Sequence, residues 1–311
     1  MTLSKPSGTL WHAVRSTIRS KDCWQRLALV SPTQNLFLTY EEAWAQSASL
    51  AECLISKDVV AGDVVGTDLP NVAESLLLHL ACSRLGASVA TAKTPDSFPS
   101  NMRLGVVASA DSALLQHSPS LQMLVAGSEE MKSALDGDSR MDFDDEDSSP
   151  EATMDRPLGY FNSSTPYTQQ QCLAHGRAMQ QHLNVTPEDK ACVSISLFHP
   201  FGIGTSVCGT WLAGATVVLP AVGGLHGCGV PSERAAVTAC TLHEQECSLL
   251  FADKHTLTAL DGVFAGDQKM RTAATSNLRG GISKMGSGSD ILDTKVDCGG
   301  VALYTLGKKS R

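Results

Sequence analysis

Apolar residues recur along this chain in two rhythms: short continuous runs, and longer stretches at helical spacing. Residues 27–30 (LALV) and 36–38 (LFL) are runs of the first kind, and the polar SPTQN between them predicts a hairpin. Thr39 stands three residues before Glu42, a capping box in which hydroxyl and carboxylate each satisfy a backbone N–H left over at a helix start. The helix it opens is predicted over 40–56, with Ala43, Trp44, Ser47, Leu50, Ala51 and Leu54 on the buried face. Ala61-Gly62-Asp63 turns the chain into a strand over 64–67. Leu69-Pro70-Asn71 then caps a second helix that reaches Leu85 and ends at Gly86, and a strand over 88–92 follows.

In the second half the pattern predicts a helix over 175–183 ending near Asn184, strands over 191–197 and 215–219, a helix over 232–246 and a strand over 248–252. Gly209 and Gly214 suit close packing and helix termination. The alternation argues for an α/β layered architecture with largely parallel sheets. Three segments are expected: a first α/β subdomain over 1–127, an acidic linker or insertion over 128–157, and a second α/β subdomain over 158–311.

Composition narrows the function. With 42% hydrophobic and 18% charged residues in 311, the chain buries a sizeable core. A net charge of -8 argues against non-specific nucleic-acid binding, which needs a basic footprint. No apolar run reaches the length of a membrane span; His79, Ser83 and Arg84 interrupt the longest candidates. Ten cysteines scattered through predicted core elements read as free thiols of a reducing compartment. Eleven acids lie between Glu129 and Asp155 against two bases, and the DFDDEDSSP run at 142–150 has little to bury and repels itself, which suits a solvated linker. The run lacks the ligand order and turning glycine of a calcium loop. The first 21 residues carry Lys5, Arg15, Arg19 and Lys21 and no acid, the composition of a mitochondrial presequence, or equally of a first helix of the fold. Mitochondrion is the expected location, with cytoplasm as the alternative.

Several blocks carry a family resemblance. The opening holds Thr39-Tyr40-Glu41-Glu42, then AGDVV at 61–65, Leu69-Pro70-Asn71 and LACSRLGA at 80–87. Further on come FHPFG at 198–202 with a later Gly214-Ala215, and LRGGISKMGSGS at 278–289. Residues 160–175 read YFNSSTPYTQQQCLAH. Together these resemble the N-terminal part of the adenylate-forming acyl-CoA synthetase (AMP-binding enzyme) superfamily. Its phosphate loop reads Y-T-S-G-T-T-G-x-P-K-G and is followed by a histidine, here His175. Residue by residue, the resemblance puts Ser163, Pro166 and Gln170 where the loop glycines belong and Gln169 where the lysine belongs. Aligning Tyr304 in VALYTLGKKSR with the tyrosine of Y-G-M-T-E-T puts Lys308 at the magnesium-binding glutamate.

An adenylating enzyme holds a triphosphate with glycine-exposed N–H groups, a lysine and a magnesium ion. A neutral amide does not replace an ammonium facing phosphate, Pro166 removes an N–H, and Lys308 inverts the charge at the cation site. The chain is expected to stop before the family's ribose-binding aspartate and its mobile C-terminal domain. The resemblance thus implies a truncated pseudoenzyme with no catalytic residues, no cofactor and no metal. His199, Phe201 and Gly202 are candidates to line an acyl pocket, against the plainer reading that His199 orders its turn. His226, Cys228, Cys240, His243 and Cys247 are potential zinc ligands, the last three on one predicted helix face, but their spacing is not that of a closed zinc site. The glycine-rich GGLHGCG at 223–229 lacks the strand and the G-x-G-x-x-G order of a dinucleotide site.

The function expected is a structural or accessory subunit of a larger, mitochondrial complex, with other protein subunits as partners. The alternatives are a module that weakly binds an acyl group or adenine nucleotide, and a residual ATP-dependent acyl-CoA ligase completed by a partner.

Overall fold

The computed structural model describes residues 8–91, 98–112, 114, 120–136, 153–161, 163, 165–220 and 230–308. The acidic run at 142–150, the glycine-rich 223–229 with His226 and Cys228, and the predicted strand end at 92 lie outside them.

Contacts group the chain into two units that are not contiguous in sequence. The first comprises residues 1–25, 39–69 and 74–173, and the second comprises 26–38, 70–73 and 174–311. The division expected from sequence runs straight along the chain instead. Its 128–157 stretch lies wholly inside the first unit and contains a helix, Glu129–Leu135, capped by Ser128 and buried at Met131 and Ala134.

In the first unit, helices α1 (Leu10–Lys21), α2 (Tyr40–Ser56), α3 (Ala73–Leu85) and α4 (Glu129–Leu135) accompany a six-stranded sheet. Its strands are β3 (Val64–Thr67), β4 (Ser88–Thr91), β5 (Met102–Val107), β6 (Gln122–Val125), β7 (Pro157–Phe161) and β8 (Tyr167–Thr168), in the order β6-β5-β3-β4-β7-β8. All pairs are parallel except β7 with β8. α2 has the predicted limits, and the Thr39–Glu42 box closes as expected: Glu42 N–H donates to Thr39 Oγ1 at 3.2 Å and Thr39 N–H to Glu42 Oε2 at 2.7 Å. All six residues expected on its inner face are buried. Gly86, at φ +72°, ends α3 in a conformation a side chain would resist.

The basic N-terminal stretch from Leu10 onward is the first helix of this unit. α1 buries Leu10, Trp11, Val14 and Ile18, and Trp11 stacks on Trp44 with the Arg84 guanidinium over its ring.

The second unit holds an eight-stranded sheet. Its strands are β1 (Leu27–Ser31), β2 (Leu36–Thr39), β9 (Lys190–Ser194), β10 (Thr216–Val218), β11 (Leu249–Asp253), β12 (Gly280–Lys284), β13 (Asp290–Cys298) and β14 (Val301–Gly307), in the order β13-β14-β12-β11-β9-β10-β1-β2. From β1 to β14 the pairs are parallel, and β13 closes antiparallel on β14. Helices α7 (Pro231–Glu244), α8 (Lys254–Gly266) and α9 (Gln268–Thr275) cover a core that includes Val30, Cys192, Val218, Leu242, Leu250, Leu260 and Leu303. α5 (Gln169–Leu183) begins in the first unit and continues in the second. A π-helix, Phe201–Cys208, runs into the short α6 (Gly209–Leu212).

Candidate functional site

The segment expected to be a phosphate loop is a short hairpin leading into a helix. β7 ends at Phe161 and β8 starts at Tyr167, with Gly159 opposite Tyr167, so five residues make the connection. Ser163 and Pro166 lie on it, exposed; the Ser163 hydroxyl accepts the Thr165 N–H at 3.0 Å. Thr168 and Gln171 then form a reciprocal capping box: Gln171 N–H donates to Thr168 Oγ1 at 3.1 Å, and Thr168 N–H to Gln171 Oε1 at 2.9 Å.

Gln169 is therefore the first residue of α5, not a loop residue, and it is fully buried. Its Oε1 accepts the Leu10 N–H at 2.9 Å and the Ser83 hydroxyl at 3.1 Å. Ser83 Oγ in turn accepts the Trp11 N–H at 3.1 Å. The first N–H groups of a helix have no partner within it. Here two of them, on α1, are satisfied by side chains of α5 and α3. Gln170, next along α5, is exposed.

In the second unit, β14 is an interior strand between β12 and β13. Tyr304 pairs in register with Ile282 and Lys295, and its ring takes the edge of His182 and the Lys295 ammonium 4.5 Å from its centroid. Lys308 follows the end of that strand, exposed. Ser163, Pro166 and Gln169 thus belong to one unit, and Lys308, His199, Phe201 and Gly202 to the other.

The FHPFG turn is a braced structural feature. His199 Nδ1 accepts the Phe201 N–H at 3.0 Å, and its carbonyl accepts the N–H groups of Gly202 and Ile203. The plainer reading of His199, as a residue that orders its turn, describes these bonds. Phe201 is buried edge-on against Phe251, and a Cβ on Gly202 would come within 2.4 Å of the Ser196 carbonyl oxygen. Asn71 imitates a strand neighbour here, donating to Ile195 O at 2.7 Å and accepting Leu197 N–H at 3.0 Å. His175 is half-buried; burial lowers its imidazole, and the Asp290 carboxylate works in the opposite direction.

The expected face of zinc ligands divides. Cys240 is half-buried and His243 exposed on α7. Cys247 lies beyond that helix and is buried in the core with Cys192 and Cys298. Burial pushes the Cys298 thiol up to about 12. Among the described residues, no group of three or more His, Cys, Asp or Glu is placed to hold a metal ion.

Two charge clusters escaped sequence reasoning. Arg279 makes a bidentate pair with Asp189, at 2.8 and 2.6 Å, and donates to the Leu183 carbonyl at the end of α5. Arg234 reaches Asp253 at 3.1 Å and the Thr256 hydroxyl at 2.7 Å, joining α7 to the cap of α8. The Asp253–Thr256 spacing was a readable helix-start signal.

The family model for AMP-binding enzyme matches residues 19–159, ending one residue before the YFNSST segment. No curated protein matches the chain in sequence. Among solved structures, the anthranilate CoA ligase AuaEII in complex with anthranoyl-AMP superposes with a TM-score of 0.72 at 15% identity, covering 93% of this chain and 55% of that one. The N-terminal domain of FACL13 from Mycobacterium tuberculosis, with bound inhibitor, gives 0.70 at 14% identity over 89% and 70%. Unliganded O-succinylbenzoate coenzyme A synthetase (MenE) from Bacillus subtilis gives 0.67 at 17% over 90% and 55%. The chain thus spans little more than half the length of the two ligases. Its fold is the α/β architecture of the N-terminal domain of adenylate-forming enzymes.

Proposed function

We propose that this protein is a non-catalytic, acyl-CoA synthetase-like chain that acts as a structural or accessory subunit of a larger assembly. The observation that carries the reading is the fate of Gln169. In the alignment it replaces the lysine that faces phosphate, yet its amide oxygen is spent inside the protein, on the start of α1 and on Ser83. On the connection before α5, Pro166 has no N–H to offer a phosphate, the Thr165 N–H is held by Ser163 Oγ and the Gln171 N–H by Thr168 Oγ1. An exposed ammonium at Lys308, in place of a carboxylate, opposes magnesium binding. The sequence match to AMP-binding enzymes also stops where this segment begins.

A mitochondrial setting is part of the proposal. α1 is built into the core, so cleavage of a leader that spared the fold would fall before Leu10. The test is pyrophosphate exchange with a panel of carboxylates, run on the isolated chain and on the chain purified with its native companions. No exchange is expected in either arm, together with a native mass well above that of one chain. Exchange, or a purely monomeric native mass, sinks the reading.

A further inference from the structure

The connection between α5 and β9 reads Asn184-Val185-Thr186-Pro187-Glu188-Asp189. Thr186 is exposed on it, and a proline and two acids follow, features that protein kinases read around an acceptor hydroxyl. The functional reading above makes no use of this turn.

The turn is tied to the second unit through one carboxylate. The Thr186 N–H donates to Asp189 Oδ2 at 2.8 Å, and the Thr186 hydroxyl lies 3.5 Å from the same oxygen. That hydroxyl is also the first cause of the lowered Glu188 carboxyl. Asp189 Oδ1 accepts Arg279 Nε at 2.8 Å and the Ser248 hydroxyl at 2.7 Å, and Oδ2 accepts Arg279 Nη2 at 2.6 Å. Arg279 donates as well to the Leu183 carbonyl at 2.8 Å and to the Asn184 carbonyl at 3.3 Å. Arg26 donates to the Pro187 carbonyl and stands 3.7 Å from the Glu188 carboxylate. All of these residues belong to the second unit. One buried carboxylate thus joins the end of α5 to the residues that lead into β9, β11 and β12.

We propose that Thr186 is a phosphorylation site and that its phosphate opens the Arg279–Asp189 pair. The Thr186 oxygen attacks the γ-phosphorus of an ATP held by a protein kinase. The new O–P bond replaces the bond to ADP, and the hydroxyl proton leaves to the kinase's base. The ester carries about -1.5 to -2 charges at pH 7 and three acceptor oxygens. Set beside Glu188 and Asp189 it repels both, while the fork geometry of Arg279 suits a phosphate as well as a carboxylate. The Arg279 side chain is 42% exposed and is able to turn outward; the Asp189 side chain, at 6%, is then left buried without its cation. The site does not depend on the functional reading above.

The test uses the full chain, ATP and two purified protein kinases, one directed by a following proline and one by following acids. The tryptic peptide 178–190 is expected to gain one phosphate, on Thr186. It stays unmodified in Thr186→Val, which folds because the N–H at 186 keeps its bond to Asp189. The phosphorylated chain is expected to unfold at a lower urea midpoint than the unmodified one. The drop shrinks when Asp189→Asn removes the opposing charge. A folded chain that takes no phosphate at Thr186 from either kinase overturns the site. Phosphate there that leaves the midpoint unmoved, raises it, or costs as much with Asp189→Asn overturns the opening of the pair.

Discussion

One amide oxygen, Gln169 Oε1, serves donors from two other segments, which fixes what each substitution there would do. Gln169→Lys restores the residue type of a phosphate loop but sets an ammonium beside two donors in a fully buried place. Losing both bonds and burying a charge predicts destabilisation of about 3 kcal/mol or more, read as a lower urea midpoint, with no gain of ATP turnover. A well-folded Gln169→Lys protein that binds ATP would refute this placement. A loop was expected at Gln169 and a helix start is found, for a definite reason. The residue count from Tyr160 to His175 fits the family loop, while the Thr168-x-x-Gln171 box that starts the helix at Gln169 is just as plain in the sequence. His199 was legible because a histidine two residues before a turning N–H has a short-range partner to find. Asp189 was not, because Arg279 is ninety residues away. Burial raises the Asp189 carboxyl, but bonds from Arg279, the Thr186 N–H and the Ser248 hydroxyl outweigh it and bring it below its ordinary range. A carboxylate lowered by folding adds stability above its unfolded pKa, near 4, and loses it as pH falls through the folded value. Asp189→Asn is therefore expected to cost ~1–2 kcal/mol at pH 7, discounted because Arg279 touches solvent. The cost should shrink as the pH falls below about 4 and through the lowered folded value. Urea titrations of both proteins across that window decide it, and a cost that grows in acid would reject the pair's role.

Helix packing in the second unit turns on two glycines. A Cβ on Gly176 of α5 would lie 2.9 Å from the Gly209 backbone nitrogen and 2.8 Å from Cys208 Sγ. A Cβ on Gly209 would lie 2.8 Å from the Gly176 carbonyl oxygen. Alanine in a helix normally gains up to about 1 kcal/mol over glycine. At Gly176 the backbone cannot retreat, so Gly176→Ala is expected to destabilise by ~1–3 kcal/mol. Gly262, on α8, has nothing within 4 Å of its would-be Cβ, so Gly262→Ala should stabilise by about 0.5–1 kcal/mol. Denaturant midpoints of the two variants should move in opposite directions; a shift in the same sense defeats the close-approach account. The same physics explains which elements were readable. α2 and β3 have strong caps, glycine turns and apolar faces, and their limits were predicted to the residue. α9 buries only Ala274 and β13 is mostly exposed, so neither leaves a periodic apolar trace. The π-helix has no sequence signal of its own, since its wider turn leaves no signature in FGIGTSVC.

The route of the chain makes the second unit depend on residues far upstream of it. β10 pairs with β1 through Leu29–Val217 and Val30–Val218. The Trp211 indole N–H donates to Ala28 O at 3.0 Å, the Thr216 hydroxyl to Leu27 O at 2.8 Å, and the Leu219 N–H to Val30 O at 2.8 Å. Asn71, from the 70–73 stretch, supplies the strand-like bonds to Ile195 and Leu197. A fragment spanning 163–311 keeps α5 whole and retains β9 to β14, yet it leaves one side of β10 bare and opens the apolar wall made by Leu29 and Val30. Unpaired backbone donors beside an exposed apolar strand favour association with other chains over folding. Such a fragment is therefore expected to aggregate or to lack fixed side-chain packing, seen as a weak near-ultraviolet dichroism signal and no cooperative melt. Expressed together with the fragment 1–162, which carries β1, β2 and Asn71, it should recover a cooperative transition. A sharp melt from 163–311 alone would show that the second unit does not need the hairpin at 27–39. Recovery with 1–162 but not with a 1–162 fragment carrying Trp11→Ala would add that the first unit must itself be folded before it delivers that hairpin.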